Sequence, residues 1–152
     1  MSEADQVKVP KAINNKVLFY VGKLTRYLLK QGKGFSVSFN DDATVEEEEG
    51  FRKVEGNSIS IGIDDPVSYN DLAEFLDRQG FMAVNGVVNN VADYIEFHQS
   101  LFQEEWEKTI YEKEKGGRRK VVRIMVVLKG VTTNGKSSVD RIIIYPKILL
   151  WY

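Results

Sequence analysis

The chain has 152 residues, of which 43% are hydrophobic, and 21 basic against 22 acidic residues leave a net charge of -1. This length predicts one domain that buries a sizeable core of its own. The near-zero charge argues against wholesale binding to a polyanion, although it is compatible with a local basic patch. Since the chain contains no cysteine, a disulfide framework, a thiolate nucleophile and a cysteine metal site are all excluded.

Residues 1–10 form a polar lead-in that starts acidic and lacks the basic and apolar regions of a signal peptide. No apolar run reaches the length of about 18 residues that a membrane-spanning helix needs. Together these features favour a cytoplasmic or other intracellular protein.

In the first half of the chain, apolar residues at helical spacing predict a helix over Ala12–Gln31. Strict alternation predicts a strand with one buried face over Phe35–Phe39 and another strand over Ser58–Ile63. Between them, Phe51–Val54 is a candidate short strand, and the acidic run Glu46–Glu49 is expected to form a loop or a strand edge.

In the second half, Ser68 predicts the start of a short helix that ends at Gln79, and a strand is expected over Phe81–Val88. Apolar residues at helical spacing predict a long helix over Val91–Lys115. With the C-terminal strands described next, this order predicts a single α+β domain over residues 1–152. It would be a mostly antiparallel sheet with a long C-terminal β-hairpin, covered by about three helices.

The C-terminal hairpin is the clearest structural signal. Two apolar runs, Val121–Val131 and Val139–Leu150, flank Asn134-Gly135, and this dipeptide favours a two-residue type I′ turn. In that register Thr133 faces Lys136, and Lys129 faces Asp140. Both faces would be apolar, so each needs a cover from this chain's helices or from another subunit. One face would carry Val121, Met125, Val127, Ile142, Ile144 and Ile148, and the other Val122, Ile124, Val126, Leu128, Ile143, Tyr145 and Leu149.

The chain ends on five apolar or aromatic residues, which must be buried either in its own core or against another chain. With the two-faced hairpin, this ending favours a non-enzymatic assembly or interaction protein that makes homo-oligomeric or partner contacts. A structural component of a viral particle or a bacterial machine would fit this description. The candidate interface residues are Phe19, Tyr145, Ile148, Leu150, Trp151 and Tyr152.

The alternative function is binding to nucleic acid. Basic residues and one aromatic share a stripe on the first predicted helix, and a second basic cluster precedes the hairpin, an arrangement that can follow phosphates and stack a base. The plainer interpretation is a solvated helix face, with the second cluster placed favourably at the end of a helix dipole. The candidate residues are Lys16, Phe19, Lys23, Arg26, Lys30, Arg118, Arg119 and Lys120.

A third possibility is a metal-dependent hydrolase. If Phe51–Val54 were the middle strand of a meander, the aspartate pairs that follow the two outer strands would emerge at one sheet edge, where carboxylates can hold Mg²⁺. The plainer interpretation is that these aspartates are turn residues. The four aspartates are Asp41, Asp42, Asp64 and Asp65.

No catalytic residue or cofactor is predicted. The only histidine, His98, lies in the apolar stripe of the long predicted helix and favours a core or interface position. A single histidine excludes any site that needs two imidazoles, and the chain has no nucleophile elbow or phosphate-binding loop.

Overall fold

The computed structural model describes residues 11–85, 99–113 and 115–152, and within them it shows one domain with two α-helices and one sheet of eight strands. The α+β class is confirmed, whereas the expectation of about three helices is wrong for this part of the chain. The helices are α1 (Asn15–Lys30) and α2 (Tyr69–Arg78). The strands are β1 (Phe35–Asn40), β2 (Thr44–Glu48), β3 (Phe51–Glu55), β4 (Ser58–Ser68), β5 (Met82–Asn85), β6 (Gln99–Lys113), β7 (Arg119–Thr133) and β8 (Lys136–Trp151).

The sheet is antiparallel and its strand order is β1-β4-β8-β7-β6-β5. The long strand β8 pairs with two strands along its edge away from β7. Its first half pairs with β4, and its last residues, Ile148–Trp151, pair with β3, which in turn pairs with β2. Strand β4 extends past Ile63, the predicted end of this strand, through Asp64-Asp65-Pro66 to Ser68, with an irregular register between Gly62 and Val67.

The turn of the C-terminal hairpin is confirmed. Thr133 faces Lys136, and both central residues have positive φ, 52° at Asn134 and 78° at Gly135. A two-residue type I′ turn needs this conformation, which is why Asn-Gly favours it.

The predicted register beyond the turn is wrong, because the hairpin contains a β-bulge. Lys129 faces Arg141 rather than Asp140, since the register shifts by one residue between Lys129 and Gly130. A Cβ atom on Gly130 would lie 1.8 Å from the carbonyl oxygen of Ser138, so this close approach of the two strands needs glycine. A one-residue shift moves every later side chain to the other face. The predicted division of the two apolar faces therefore fails for β8.

The predicted helix over Val91–Lys115 is wrong for residues 99–113, which form β6 and pair along their whole length with β7. Phe102, Trp106 and Ile110 are four residues apart, a spacing that fits one side of a helix and equally one side of a strand. The glutamates and lysines among them favour helix locally, but burial against β7 and the main-chain ladder outweighs that preference. Residues 91–98 and 114 of this segment, among them His98, lie outside the described residues, as do residues 1–10 and the end of the strand predicted over Phe81–Val88.

Both helices pack on one side of the sheet, which is here called the covered face. Helix α1 begins where the side chain of Asn14 accepts hydrogen bonds from the backbone N–H groups of Lys16 and Val17. Its buried residues belong to one apolar cluster with Val122, Ile124 and Val126 of β7 and with residues of α2, β4 and β8. The opposite side of β3, β6, β7 and β8 is here called the open face. None of the helices in the described ranges is long and apolar enough to cross a membrane.

Candidate interaction surface

The open face carries the alternate residues of the three longest strands. The sheet register sets them in rows, such as Tyr111, Val121 and Leu149, or Glu105, Val127 and Ile143. The residues that contact α1 and α2 belong to the other side. The open face therefore carries apolar side chains to which neither described helix contributes a cover, and among them Val121 and Val127 are buried while Tyr111 is exposed.

A polar network crosses the open face from β2 to β8. Lys53 Nζ lies 3.0 Å from Glu46 Oε2 and 3.3 Å from Glu55 Oε1, and Lys147 Nζ lies 3.3 Å from Glu55 Oε2. Burial opposes ionisation of Glu55, but hydrogen bonds from Lys147 and Lys53 outweigh it and lower the pKa of this carboxyl. The hydrogen bonds from Lys53 to Glu46 and Glu55 raise the pKa of its ammonium. Both shifts favour the charged forms.

A further ion pair lies beside this network. Arg123 Nε is 3.0 Å from Glu107 Oε1, although its N–H does not point along that line, so the contact is an ion pair rather than a hydrogen bond. Arg123 faces Lys147 across the β7–β8 ladder. The ion pairs thus form a band across the face, in which three cations meet three carboxylates.

Apolar surface lies on both sides of this polar band. On one side, Tyr145 is 42% exposed, and a groove of about 420 Å³ runs between it, Met125 and the ion pairs. On the other side, the rings of Phe51 and Trp151 pack with their centroids 5.3 Å apart. A second groove, of about 550 Å³, lies where β6, β7 and the end of β8 meet.

The predicted interface residues divide between the two sides of the sheet. Tyr145 and Trp151 lie on the open face, whereas Ile148 and Leu150 are half-buried and point to the covered side, because Ile148 faces Val122 across the ladder. Tyr152 is exposed beside Arg118, whose guanidinium carbon lies 5.5 Å from the centre of its ring. Phe19 is exposed on α1, so it belongs to a different surface.

The two predicted basic clusters meet at one carboxylate. Lys16 Nζ and Lys120 Nζ each lie 3.8 Å from Glu112, and they contact its two different oxygens. Farther along α1, Lys23 Nζ lies 5.3 Å from the centre of the Phe19 ring. Of the remaining candidates, Arg26 and Lys30 lie on α1. Arg118 precedes β7, Arg119 is the first residue of β7, and both are exposed. Residue Glu112 was missed because it fell within the predicted long helix, whereas strand alternation would have placed it beside Lys120.

The predicted gathering of four aspartates at one sheet edge is wrong. Strand β1 pairs directly with β4, with Asn40 facing Ser58 at one end and Phe35 facing Ile63 at the other. Asp41 and Asp42 follow the first end, whereas Asp64 and Asp65 lie beyond the second, so about 20 Å of strand separates the pairs. In the described ranges, no three histidine, aspartate or glutamate side chains form a group that could hold a metal ion.

One buried polar pair on the covered face was also missed. Tyr69 Oη donates a hydrogen bond of 2.5 Å to Glu104 Oε1, and Glu104 is only 6% exposed. Burial and this hydrogen bond both raise the pKa of Tyr69. Strand alternation places Glu104 between Phe102 and Trp106 on the covered side, which is the signal that could have revealed it.

Comparison of the chain with protein-family models, with curated protein sequences and with solved structures finds no match.

Proposed function

We propose that this protein is a non-enzymatic assembly protein whose open face binds another protein chain, in a homo-oligomer or with a partner. The observation that carries this proposal is the exposure of Tyr145 beside half-buried Met125 and Ile143, on a face to which neither described helix contributes. A contiguous apolar surface flanked by polar groups is typical of protein–protein contacts, in which tyrosine and methionine are enriched.

The charges of the polar band support a protein partner rather than a nucleic acid at this place. Within the band, Lys53, Lys147 and Arg123 all lie within ion-pair distance of carboxylates, so the band itself offers little positive potential to attract phosphates. Such a neutral band between two apolar areas can desolvate with its pairs intact, which lowers the cost of burying it.

The experiment is photo-crosslinking from position 145. A photoreactive phenylalanine analogue replaces Tyr145 in the expressed full-length protein, and a matched variant carries it at Asn70, an exposed position on α2. We expect a discrete crosslinked species from position 145, to a second copy or to one partner, and none from position 70. A second substitution, Met125→Gln, keeps the side-chain volume but adds polarity, and it should weaken that crosslink.

Two results would contradict the proposal. One is the absence of any discrete crosslink from position 145 at concentrations at which the protein is folded. The other is a crosslink that Met125→Gln leaves unchanged, since the contact would then not involve the apolar surface of the open face.

A second candidate function, nucleic-acid binding, is favoured by the meeting of Lys16 and Lys120 at Glu112. This contact makes the α1 stripe continuous with the basic cluster before β7. Replacing Lys23 and Arg26 with glutamate should weaken binding to duplex DNA and reduce the salt slope by about 1.8, because each lost phosphate contact removes about 0.9. Equal binding of variant and wild type at low salt would reject this candidate.

A further inference from the structure

Strand β1 lies at one end of the sheet and offers an unpaired edge. It pairs with β4 on one side, and no strand in the described ranges pairs with its other side. Natural proteins usually protect such edges with charged residues, proline or a bulge. The six residues Phe35–Asn40 include no charge and no proline, and their register with β4 is regular. The edge is therefore competent to accept a further strand.

The hydrogen bonds to β4 show which main-chain groups of β1 point outward. Asp64 N donates to Gly34 O at 2.9 Å, so the residue pairs that exchange hydrogen bonds with β4 involve Gly34, Ser36 and Ser38. Because these pairs alternate along an antiparallel ladder, the N–H and C=O groups of Phe35, Val37 and Phe39 point away from β4. The free donors and acceptors of the edge thus belong to the three apolar residues.

The sequence of this edge is the same in both directions: Phe35-Ser-Val-Ser-Phe39. In a two-fold symmetric contact, each residue must face its own mirror position in the second copy. With the axis at Val37, Phe35 faces Phe39 of the second copy, Ser36 faces Ser38, and Val37 faces Val37. Every facing pair then joins like side chains, with the serines on one side of the sheet and the apolar residues on the other.

We propose that β1 pairs antiparallel with β1 of a second copy about a two-fold axis at Val37, which joins the two sheets into one. The three facing pairs formed by Phe35, Val37 and Phe39 would each exchange two main-chain hydrogen bonds. Phe39 is 55% exposed, and Phe35 of the second copy covers it in this arrangement. The contact uses a different surface from the open face, so it does not depend on the function proposed above.

The interface is small, and we therefore expect reversible dimerisation with a dissociation constant on the order of micromolar. The first measurement is sedimentation velocity of the full-length protein over a concentration series. Wild type should change from monomer to dimer in that series.

A charge-swap pair tests the register as well as the surface. One variant carries Ser36→Lys and Ser38→Lys, and the other carries Ser36→Glu and Ser38→Glu. In the proposed register, like charges face each other when either variant pairs with itself, and opposite charges face each other when the two are mixed. Each variant alone should lose the association through β1, whereas the equimolar mixture should regain it. A variant with Asn15→Lys and Asn70→Lys adds the same charge at exposed helix positions and should dimerise like wild type.

Hydrogen exchange in the wild-type protein gives a test that needs no variant. The amides of Phe35, Val37 and Phe39 point to the free edge, so their protection should rise with protein concentration. The amides of Ser36 and Ser38 are bonded to β4 and should be protected at every concentration.

Three results would overturn the proposal. Wild type could remain monomeric throughout the series, the charge-swap variants could self-associate as strongly as wild type, or protection of the three outward amides could be independent of concentration. None of them would affect the crosslink expected from position 145, because Tyr145 lies on another surface.

Discussion

The two faces of the sheet are made by neighbouring residues of the same strands, yet they differ in what they bury. On β8, Ile142 and Ile144 are fully buried under the helices, whereas Ile143 and Tyr145 point to the open face and keep part of their surface exposed. The buried part of the covered face is mostly apolar, and there Tyr69 donates a hydrogen bond to the buried carboxylate of Glu104. The open face alternates ion pairs with apolar rows. Apolar composition alone therefore does not reveal which side of a two-sided strand forms the core.

The largest expected effect is a difference between two neighbouring residues of β8, Ile142 on the covered face and Ile143 on the open face. Replacing Ile142 with alanine should lower the free energy of unfolding by about 2–5 kcal/mol, because it leaves a cavity under the helices. The same change at Ile143 should cost about 1 kcal/mol or less, since that side chain is half-buried on the open face. Urea denaturation measures both. Equal losses of unfolding free energy would show that Ile143 is as well covered as Ile142 in the isolated protein, which would contradict the difference between the two faces.

The second test concerns the bulge at Gly130, which determines which residues of β8 lie on the covered face. Gly130→Ala should destabilise the protein by about 2–3 kcal/mol, because the new Cβ would collide with the main chain at Ser138. The matched control is Gly22→Ala in α1, where a Cβ meets nothing within 4 Å and alanine favours the helix. The control should raise the melting temperature. If Gly130→Ala left the stability unchanged, the two strands could move apart at this position without loss of stability.

The buried polar pair gives the third test. Tyr69→Phe removes the donor to Glu104 and should cost about 1–3 kcal/mol, because it leaves a buried carboxylate without this hydrogen bond. Since the pKa of Tyr69 is raised in the fold, its contribution is present below about pH 10, the ordinary pKa of tyrosine, and is lost as pH rises through the folded value. Tyr111→Phe, at an exposed site, should leave thermal stability unchanged. Similar losses for both variants would contradict this role.

The smallest effect concerns the ion pairs of the open face. Because the pKa of Glu55 is lowered, its contribution is present above about pH 4.3 and is lost as pH falls through the folded value. The carboxylate side chain is 33% exposed, so this contribution should be below about 1 kcal/mol. Thermal melts of Glu55→Gln should show a weaker loss of stability in acid than wild type, with the exposed Glu49→Gln as control. If Glu55→Gln left the acid dependence of the melting temperature unchanged, this network of ion pairs would not contribute to stability.

The sequence predicts elements best where local chemistry and tertiary structure agree. Alternation identifies β1 and the first half of β4, apolar runs identify both strands of the hairpin, and Asn134-Gly135 identifies the turn with its positive φ angles. The four-residue spacing of Phe102, Trp106 and Ile110 is compatible with helix and strand alike, and only the partner strand β7 decides between them. The bulge beside Gly130 follows from a contact across the hairpin that no local pattern reports.

The candidate surfaces show the same limit. The basic stripe of α1 follows directly from helical spacing, whereas its connection to Lys120 depends on Glu112, which lies on a strand that was expected to be helical. The prediction that the two aspartate pairs lie at one sheet edge was wrong, because their proximity depended on the order of strands in the sheet. That order is set by β8, which lies far along the chain from both pairs.

The central position of β8 has a consequence for how the chain folds. Among the described residues, strands β3 and β4 join β6 and β7 only through β8, which follows them far along the sequence, so these are contacts of long sequence separation. The β6–β7 and β7–β8 hairpins can close locally, but the edges of β3 and β4 stay unpaired until β8 is available. We therefore expect slow folding with late closure of the sheet. During synthesis, the N-terminal half would be exposed to aggregation for as long as β8 remains in the ribosome.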